Sequence, residues 1–562
     1  MVQRDHPLDA SSIDSNKLQW QHFWQIATPY WRSSEKWGAM LLLLLLLGLS
    51  LISALLLVLV SLFLGEVTSA LAAQQLDRFS QALLMFGGVI VLGVPLLSGK
   101  TYMQAKLSLF WRRWLTDRFL HHYLDDRLFY QISGDSDLDN PDQRIVEDIK
   151  TFTQQSLFFV VILFDAVLQL VAFTGVLWSI SKLLMIFLIL YAIIGTLVTT
   201  LVFGRILVGI NARQLQREAD FRFSLVRVRE NAEAIAFYRG EAQESEQVWQ
   251  RFLSAFRNFN RLIRWQLGLN FFQNGYQYFT FLLPALILSP TILSGQQEIG
   301  VEAQASTAFR IILLALALVI KQFEQLTALV ASVDRLYALD ITPNTAPVDA
   351  SSQPQLETIP SAHLALHHVT LYTPDYQIKL IEALSFMLSP GQSLLIMGPS
   401  GVGKSSLLRA IAGLWQSGSG TIERPQLSDI LFLPQRPYMI LGTLREQIAY
   451  PGTANVSDDR LWQILHQVNL ADFADRFELG TSADWTQILS VGEQQRLAFA
   501  RLLLVQPQYA LLDEATSGLD VGNERLLYQQ LQTTKITYLS VGHRSTLKAY
   551  HQSVLELGKR LF

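Results

Sequence analysis

The chain has 562 residues, of which 50% are hydrophobic and only 16% charged. Soluble domains carry about 25% charged residues, so a wholly soluble enzyme is not expected. With no cysteine, disulfides, thiolate nucleophiles, Cys-ligated zinc and iron–sulfur clusters are excluded. A net charge of -3 supplies no basic field, so no nucleic acid partner is expected.

Residues 1–38 read as an N-terminal cytoplasmic or interfacial amphipathic segment. Leu18 to Trp37 mixes Trp, Tyr and basic residues, which suits a helix lying in a membrane interface. Met40 to Leu64 then runs without a charge for longer than the roughly 20 residues that cross a bilayer. The polar and aromatic residues ahead of it, and its length, argue against a cleavable signal peptide. Further apolar stretches at Gln81 to Ser98, Ser156 to Ser181, Leu183 to Gly204, Gly268 to Ser289 and Ser306 to Val330 bring the predicted spans within residues 39–340 to six. The segment from Arg112 to Lys150 and that from Arg205 to Arg239 are long and basic, whereas Ser289 to Ala305 has no Lys or Arg. The positive-inside rule places both termini and both long loops in the cytoplasm. No organelle-targeting signal is evident, so a multi-pass protein of a bacterial plasma (inner) membrane is the default expectation.

Polar residues inside spans mark candidate pathways. In span five, Asn270, Gln273, Asn274 and Gln277 fall at i, i+3, i+4 and i+7, one helical face, while Phe271, Phe272 and Phe279 point elsewhere. In span three, Asp165 sits mid-span with Gln169 one turn later. These six residues are the candidate substrate cavity; the alternative is hydrogen bonding between helices. Arg310, near the outer end of span six, reads as a snorkelling residue, and Lys321 with Glu324 as a simple helix pair.

Residues 341–360, with four prolines and no helical period, read as an extended linker. Residues 361–562 alternate short β-branched runs with helical stretches, the pattern of an α/β domain. The apolar strand Ser393 to Met397 runs into Gly398, Pro399, Ser400, Gly401, Val402, Gly403, Lys404, Ser405 and Ser406, followed by an amphipathic helix. This is the Walker A pattern in its strand–loop–helix context. Backbone N–H groups and the helix dipole cradle phosphates, Lys404 charges the β- and γ-phosphates, and Ser405 reaches Mg2+. A second strand, Tyr509 to Leu512, ends in Asp513 and Glu514, the Walker B arrangement, with Asp513 placed for Mg2+ and Glu514 for the attacking water. ATP and Mg2+ are the expected cofactors.

Between these motifs, Leu489 to Arg496 (LSVGEQQR) resembles the signature of ATP-binding cassette (ABC) proteins. Gln435 in FLPQRPYM matches the family's Q-loop, Ser517 to Asp520 its D-loop, and His543 in SVGHR its switch histidine. With Asp139 to Thr153 and Glu230 to Glu244, the chain resembles subfamily D half-transporters over nearly its whole length. That group includes peroxisomal acyl-CoA transporters, the lysosomal cobalamin transporter and bacterial relatives, with kinship to the BacA/SbmA peptide-uptake proteins.

The resemblance implies an all-α, six-helix, exporter-type transmembrane domain fused to a C-terminal α/β P-loop ABC ATPase domain. It implies a homodimer in which ATP lies between Lys404 and Ser405 of one subunit and Ser490 and Gly492 of the other, with Glu493 and Asp520 counted at the same site. Glu514, His543 and Gln435 are the implied catalytic residues, and Ser405, Gln435 and Asp513 the implied metal contacts. Tyr372 lies at the family's usual distance for an adenine-stacking aromatic, with Tyr376 competing. Asp125 to Asn140 and Asn231 to Glu241 are the implied coupling segments. Two positions depart from the pattern: Val491 replaces the first glycine of the signature and Glu493 its glutamine. The implied activity is ATP-driven movement of an amphipathic or polar organic solute by alternating access, with cobalamin, fatty acid or acyl-CoA, and peptide as candidate cargoes and import or export both open. Functions of other classes that fit the same motifs are an ATP-gated channel and a membrane-tethered regulatory ATPase.

Overall fold

In the computed structural model the described residues are 11–125, 128–132, 141–318, 322–341, 354–452 and 456–558. The chain divides into two compact units, residues 1–346 and 347–562.

The first unit is helical. In chain order its main helices are α1 (Ser11–Arg32), α2 (Lys36–Ala72), α3 (Leu76–Asp125), α4 (Pro141–Ile180), α5 (Lys182–Glu230), α6 (Ala232–Tyr238), α7 (Glu241–Leu293), α8 (Gly300–Leu316) and α9 (Phe323–Ile341). Among the described residues five helices, α2 to α5 and α7, are long and apolar enough to cross a membrane. Most run far beyond the apolar stretch that betrays them; the 50 residues of α3 reach about 75 Å at the α-helical rise. The sixth expected span falls on α8 and α9. Lys321, together with the side chain of Glu324, lies outside the described residues, as does most of the coupling segment expected at Asp125 to Asn140.

Helix α8 begins at Gly300, earlier than the apolar run at Ser306, and a small residue is needed there. A Cβ on Gly300 would lie 1.9 Å from the Gly65 carbonyl oxygen of α2, and the Gly300 N–H donates to Ser69 Oγ at 3.0 Å. Such close backbone approach is how membrane helices gain packing where the hydrophobic effect is absent. The N-terminal segment is less peripheral than its composition implies. Ile26, Ala27 and Tyr30 of α1 are buried in one core with Trp111, Leu115, Phe119 and Phe152, and the Tyr30 ring stacks on Trp111 at 5.7 Å. The second expected coupling segment forms α6, which ends at Arg239 in a left-handed conformation (φ 56°) and leaves Phe237 and Tyr238 exposed.

The second unit holds the strands β1 (Glu357–Pro360), β2 (Leu364–Tyr372), β3 (Lys379–Leu388), β4 (Ser393–Met397), β5 (Gly418–Arg424), β6 (Ile430–Leu433), β7 (Gly442–Thr443), β8 (Ser482–Ala483), β9 (Tyr509–Asp513), β10 (Thr537–Val541) and β11 (Ser553–Glu556). Strand β1 occupies the last four residues of the expected linker and pairs in parallel with β5; residues 342–353 of that linker lie outside the described set. A four-stranded sheet has the order β1-β5-β2-β3 and a five-stranded one the order β11-β4-β10-β9-β6. The five-stranded sheet is parallel throughout. Its central strands are nearly unbroken apolar runs, as expected where both faces are covered: Leu394, Leu395, Ile396, Leu511, Leu512 and Leu539 are all buried.

Candidate functional site

Four neighbouring strands of the parallel sheet release their chain at the same edge. β4 ends before Gly398, β6 two residues before Gln435, β9 at Asp513 and β10 two residues before His543. Ligand sites in open α/β sheets form at this carboxyl edge, so residues more than a hundred positions apart meet here.

After β4 the chain turns through Gly401 (φ 79°) and Gly403 (φ 102°) into the helix α10 (Lys404–Ile411). A Cβ on Gly403 would lie 3.1 Å from Leu380 Cβ, so both conformation and space demand glycine. Val402 turns its side chain into the core, while Ser400 and Gly401 are exposed. The Lys404 side chain is buried, and its Nζ donates to the carbonyls of Gly398 (2.8 Å) and Pro399 (2.9 Å). Burial pushes this ammonium below the usual lysine range, against the opposing pull of Glu514 and Asp513. Among the described residues no carboxylate forms an ion pair with it. A buried cation beside a turn of free amides, without an acid partner, fits a phosphate chain.

Ser405 Oγ donates to Asp513 Oδ1 at 3.1 Å. Burial pushes the Asp513 carboxyl above the usual range, with the Ser405 hydroxyl opposing. A hydroxyl and a buried carboxylate are the hard oxygen donors that Mg2+ takes alongside phosphate oxygens. Glu514 sits in the left-handed region (φ 48°), a conformation costing about 1–2 kcal/mol for an L-residue. Its backbone is pinned by donation to the Val541 carbonyl at 3.0 Å. Its carboxylate accepts from Gln435 Nε2 (3.2 Å) and lies 3.1 Å from His543 Nε2, which is also 3.1 Å from Lys404 Nζ. The structure thus brings Lys404, Ser405, Gln435, Asp513, Glu514 and His543 into one cluster. The Tyr372 and Tyr376 rings stack at 5.8 Å; the Tyr376 hydroxyl is tied to the Pro354 carbonyl, while the Tyr372 hydroxyl has no partner among the described residues.

The signature segment caps the helix α11 (Val491–Val505). Ser490 and Glu493 form a reciprocal capping box. The Asp520 carboxylate accepts from the Asn523 backbone N–H at 2.8 Å and from Asn523 Nδ2 at 2.7 Å, capping the helix α12 (Val521–Gln532). Gln495, one position before Arg496 in the signature, emerges as a junction. It is buried, donates to the Gln435 carbonyl (3.0 Å) and to Ser517 Oγ (3.3 Å), and accepts from the Gly518 N–H (2.9 Å), joining the Q-loop to the D-loop.

In the helical unit a cavity of about 120 Å³ lies between α5, α7 and α8. Gln273, Asn274 and Gln277 line it, together with Phe272, Tyr276 and Arg310. Several expectations change. Asn270 is exposed and does not line the cavity. Phe272, expected to face away, does. Arg310 lies further into its helix than the apolar run suggests: α8 starts at Gly300, so Arg310 is about 15 Å along the axis from that end, at about 1.5 Å per residue, and it lines the cavity. Its guanidinium lies 5.1 Å from the Phe281 ring and meets no acid among the described residues. Asp165 and Gln169 lie outside this cavity. Asp165 is paired instead with Lys100 of α3, whose Nζ lies 2.5 and 2.7 Å from its two oxygens. Lys100 sits just past the apolar run of span two, where hydropathy gives no hint that the helix continues.

The ABC transporter transmembrane region 2 family matches residues 25–293, and the ABC transporter family residues 381–517. Over 93% of its length the chain is 47% identical to an uncharacterized ABC transporter ATP-binding protein of Synechocystis, covering 81% of that protein. It is 39% identical to the chloroplastic ABC transporter D family member 2 of Arabidopsis thaliana, over 96% of this chain and 86% of the other. It is 32% identical to a lysosomal cobalamin transporter of Homo sapiens, over 96% and 94% respectively.

Proposed function

Because this chain belongs to the ABC transporters, with D-family members among its relatives, and is an ATPase coupled to movement of a substrate across a membrane, we propose that it works as a homodimer of half-transporters. Each copy carries one helical unit and one ATPase unit. In this reading the Walker residues of one copy and Ser490 and Gly492 of the other enclose ATP. Both termini and the long basic loops face the cytoplasm of a bacterial inner membrane.

The observation that carries the ATPase reading is the convergence of Lys404, Ser405, Asp513, Glu514, Gln435 and His543 at one sheet edge. Lys404 holds the phosphate chain, and since no carboxylate among the described residues forms an ion pair with it, its charge is left for that task. Ser405 and Asp513 hold Mg2+, which when bound draws charge from the phosphate oxygens. Glu514 orients and deprotonates the attacking water, Gln435 and His543 fix its carboxylate, and Tyr372 stacks on adenine with Tyr376 behind it. Phosphoryl transfer needs little covalent help from protein, so positioning is the work these contacts do.

The cargo face is the cavity of Gln273, Asn274, Gln277 and Arg310. Amides and a guanidinium at this depth are costly unless a polar group answers them. About 120 Å³ holds a head group rather than a whole organic cargo, which leaves the apolar body to Phe272 and Tyr276. Arg310, which meets no acid among the described residues, favours the acidic member of the candidate set, a fatty acid or acyl-CoA, over cobalamin or a neutral peptide. The test is ATPase activity in lipid nanodiscs titrated with palmitoyl-CoA, cobalamin and a proline-rich peptide, with Glu514→Gln as the blank. Stimulation by palmitoyl-CoA that Arg310→Gln and Gln273→Ala abolish supports the reading. Stimulation by cobalamin that survives both changes overturns the cavity assignment.

A further inference from the structure

Glu493 puts an acid where the signature of this family has glutamine, at the third position of a 15-residue helix. Its Oε2 accepts the Ser490 N–H (2.8 Å) and the Ser490 hydroxyl (2.8 Å), and its own N–H donates to Ser490 Oγ (3.3 Å). A glutamine side-chain oxygen makes the same cap. What the carboxylate adds is a negative charge at a helix end, favourable by itself but repulsive toward any phosphate brought to the same turn.

The other oxygen, Oε1, is held by Arg476 Nη1 at 2.5 Å. Arg476 also pairs with Asp472 at 3.0 Å, and its guanidinium lies 5.3 and 4.9 Å from the Phe473 and Phe477 rings. Phe473 is fully buried, so the short helix Phe473–Arg476 carries this cation on a firm anchor. Burial pushes the Glu493 carboxyl up, but Arg476 and the Ser490 donors outweigh it and hold it below the usual range, so Glu493 is ionised. The two oxygens divide the work: one maintains the cap, the other meets a counter-charge.

We infer that Arg476 is a positioning residue of the nucleotide site, which holds the Glu493 carboxylate on the Ser490 cap and cancels its charge so that this helix end accepts a nucleotide phosphate. The inference rests on the proposal that Ser490 and Gly492 face nucleotide. Arg476 makes no contact with ATP in this account; it acts through Glu493. A glutamine at position 493 needs no such cation, so the role belongs to this acidic form of the signature.

The test uses the full chain in nanodiscs. Arg476→Met is expected to raise the KM for ATP about tenfold with kcat within about twofold. In the Glu514→Gln background, equilibrium binding of radiolabelled ATP should weaken by the same factor. Adding Glu493→Gln to Arg476→Met should bring both values back to within about twofold of the parent, because the uncompensated charge is gone. Arg476→Lys should fall between, since one point charge replaces the paired guanidinium. An unchanged KM in Arg476→Met, or a double variant as weak as the single one, overturns the inference and leaves Arg476 a structural residue beside Phe473 and Phe477. Gly492→Asp, checked for an unchanged Tm, separates the underlying reading: if it leaves ATP turnover at the parent rate, the signature does not face nucleotide. If it slows turnover while Arg476→Met leaves KM and binding unchanged, only the role of Arg476 falls.

Discussion

His543 Nε2 lies 3.1 Å from Glu514 Oε1, which joins the ends of β10 and β9 through two side chains 29 positions apart. Gln435 holds the other Glu514 oxygen, and the strained backbone at 514 is pinned to Val541. A carboxylate fixed at both oxygens before any ligand arrives is pre-organised for one geometry. Glu514→Gln keeps the shape and most hydrogen bonds but cannot take a proton. Its kcat should fall by about a hundredfold or more while ATP affinity stays within about twofold. Turnover at the parent rate would remove Glu514 from its assigned role.

How legible these features were in the sequence depends on the distance over which their cause acts. The phosphate loop was plain because strand, glycines, Lys404 and helix are contiguous, and the local conformation follows from residue types alone. The spans were found but not their ends: hydropathy sees only the lipid-facing middle of α3, so Lys100 and its pairing with Asp165 were missed. The helical residues ahead of the last apolar run are hidden for a related reason, since Gly300 at the start of α8 packs against Gly65, 235 positions away along the chain. The cap that Asp520 gives α12 is, like the phosphate loop, local, since Asp three residues before Asn523 at a helix start is an ordinary N-cap.

The buried ammonium of Lys404 serves binding at the expense of the empty fold. A lysine whose folded pKa lies below its unfolded one destabilises the fold while it is protonated in both states, that is, below the folded pKa. The penalty fades as pH rises through the folded pKa toward the ordinary value of about 10.4. Lys404→Met should therefore melt at or above the parent Tm without nucleotide at pH 7, with the difference shrinking near pH 10. With nucleotide at about 100 times its Kd the parent should gain about 2.7 kcal/mol and the variant nothing. Thermal melts of the ATPase transition at both pH values check this; a variant less stable than the parent without nucleotide at pH 7 contradicts the sign.

Gly195 is the residue that lets α5 and α7 meet. The Tyr191 and Tyr276 rings stack at 4.1 Å, and each hydroxyl donates to the other residue's carbonyl, at 2.7 and 2.6 Å. A Cβ on Gly195 would lie 2.3 Å from Tyr276 Cζ. Gly195→Ala should thus cost about 1–3 kcal/mol through overpacking, and Tyr276→Phe about 1 kcal/mol through one lost hydrogen bond. Melting temperatures in detergent should fall in that order, and a Gly195→Ala protein as stable as the parent would show that the tyrosine pair has room to move.

The Lys100–Asp165 pair tests whether an intramembrane carboxylate serves structure or cargo. With 12% and 22% side-chain exposure the two charges are largely withdrawn from solvent, and each answers the other. Deleting one partner of such a pair costs about 3–5 kcal/mol because the survivor is stranded, whereas replacing both by apolar groups of similar volume is close to neutral. Lys100→Met should accordingly lower Tm by several degrees and reduce the yield of folded protein. Lys100→Met with Asp165→Leu should recover the parent Tm and, since neither residue lines the Arg310 cavity, the parent response to cargo as well. If the double variant melts normally but no cargo stimulates its ATPase, the pair belongs to the transport path. If it melts as low as the single variant, the charges contribute more to helix packing than apolar side chains of the same size can replace.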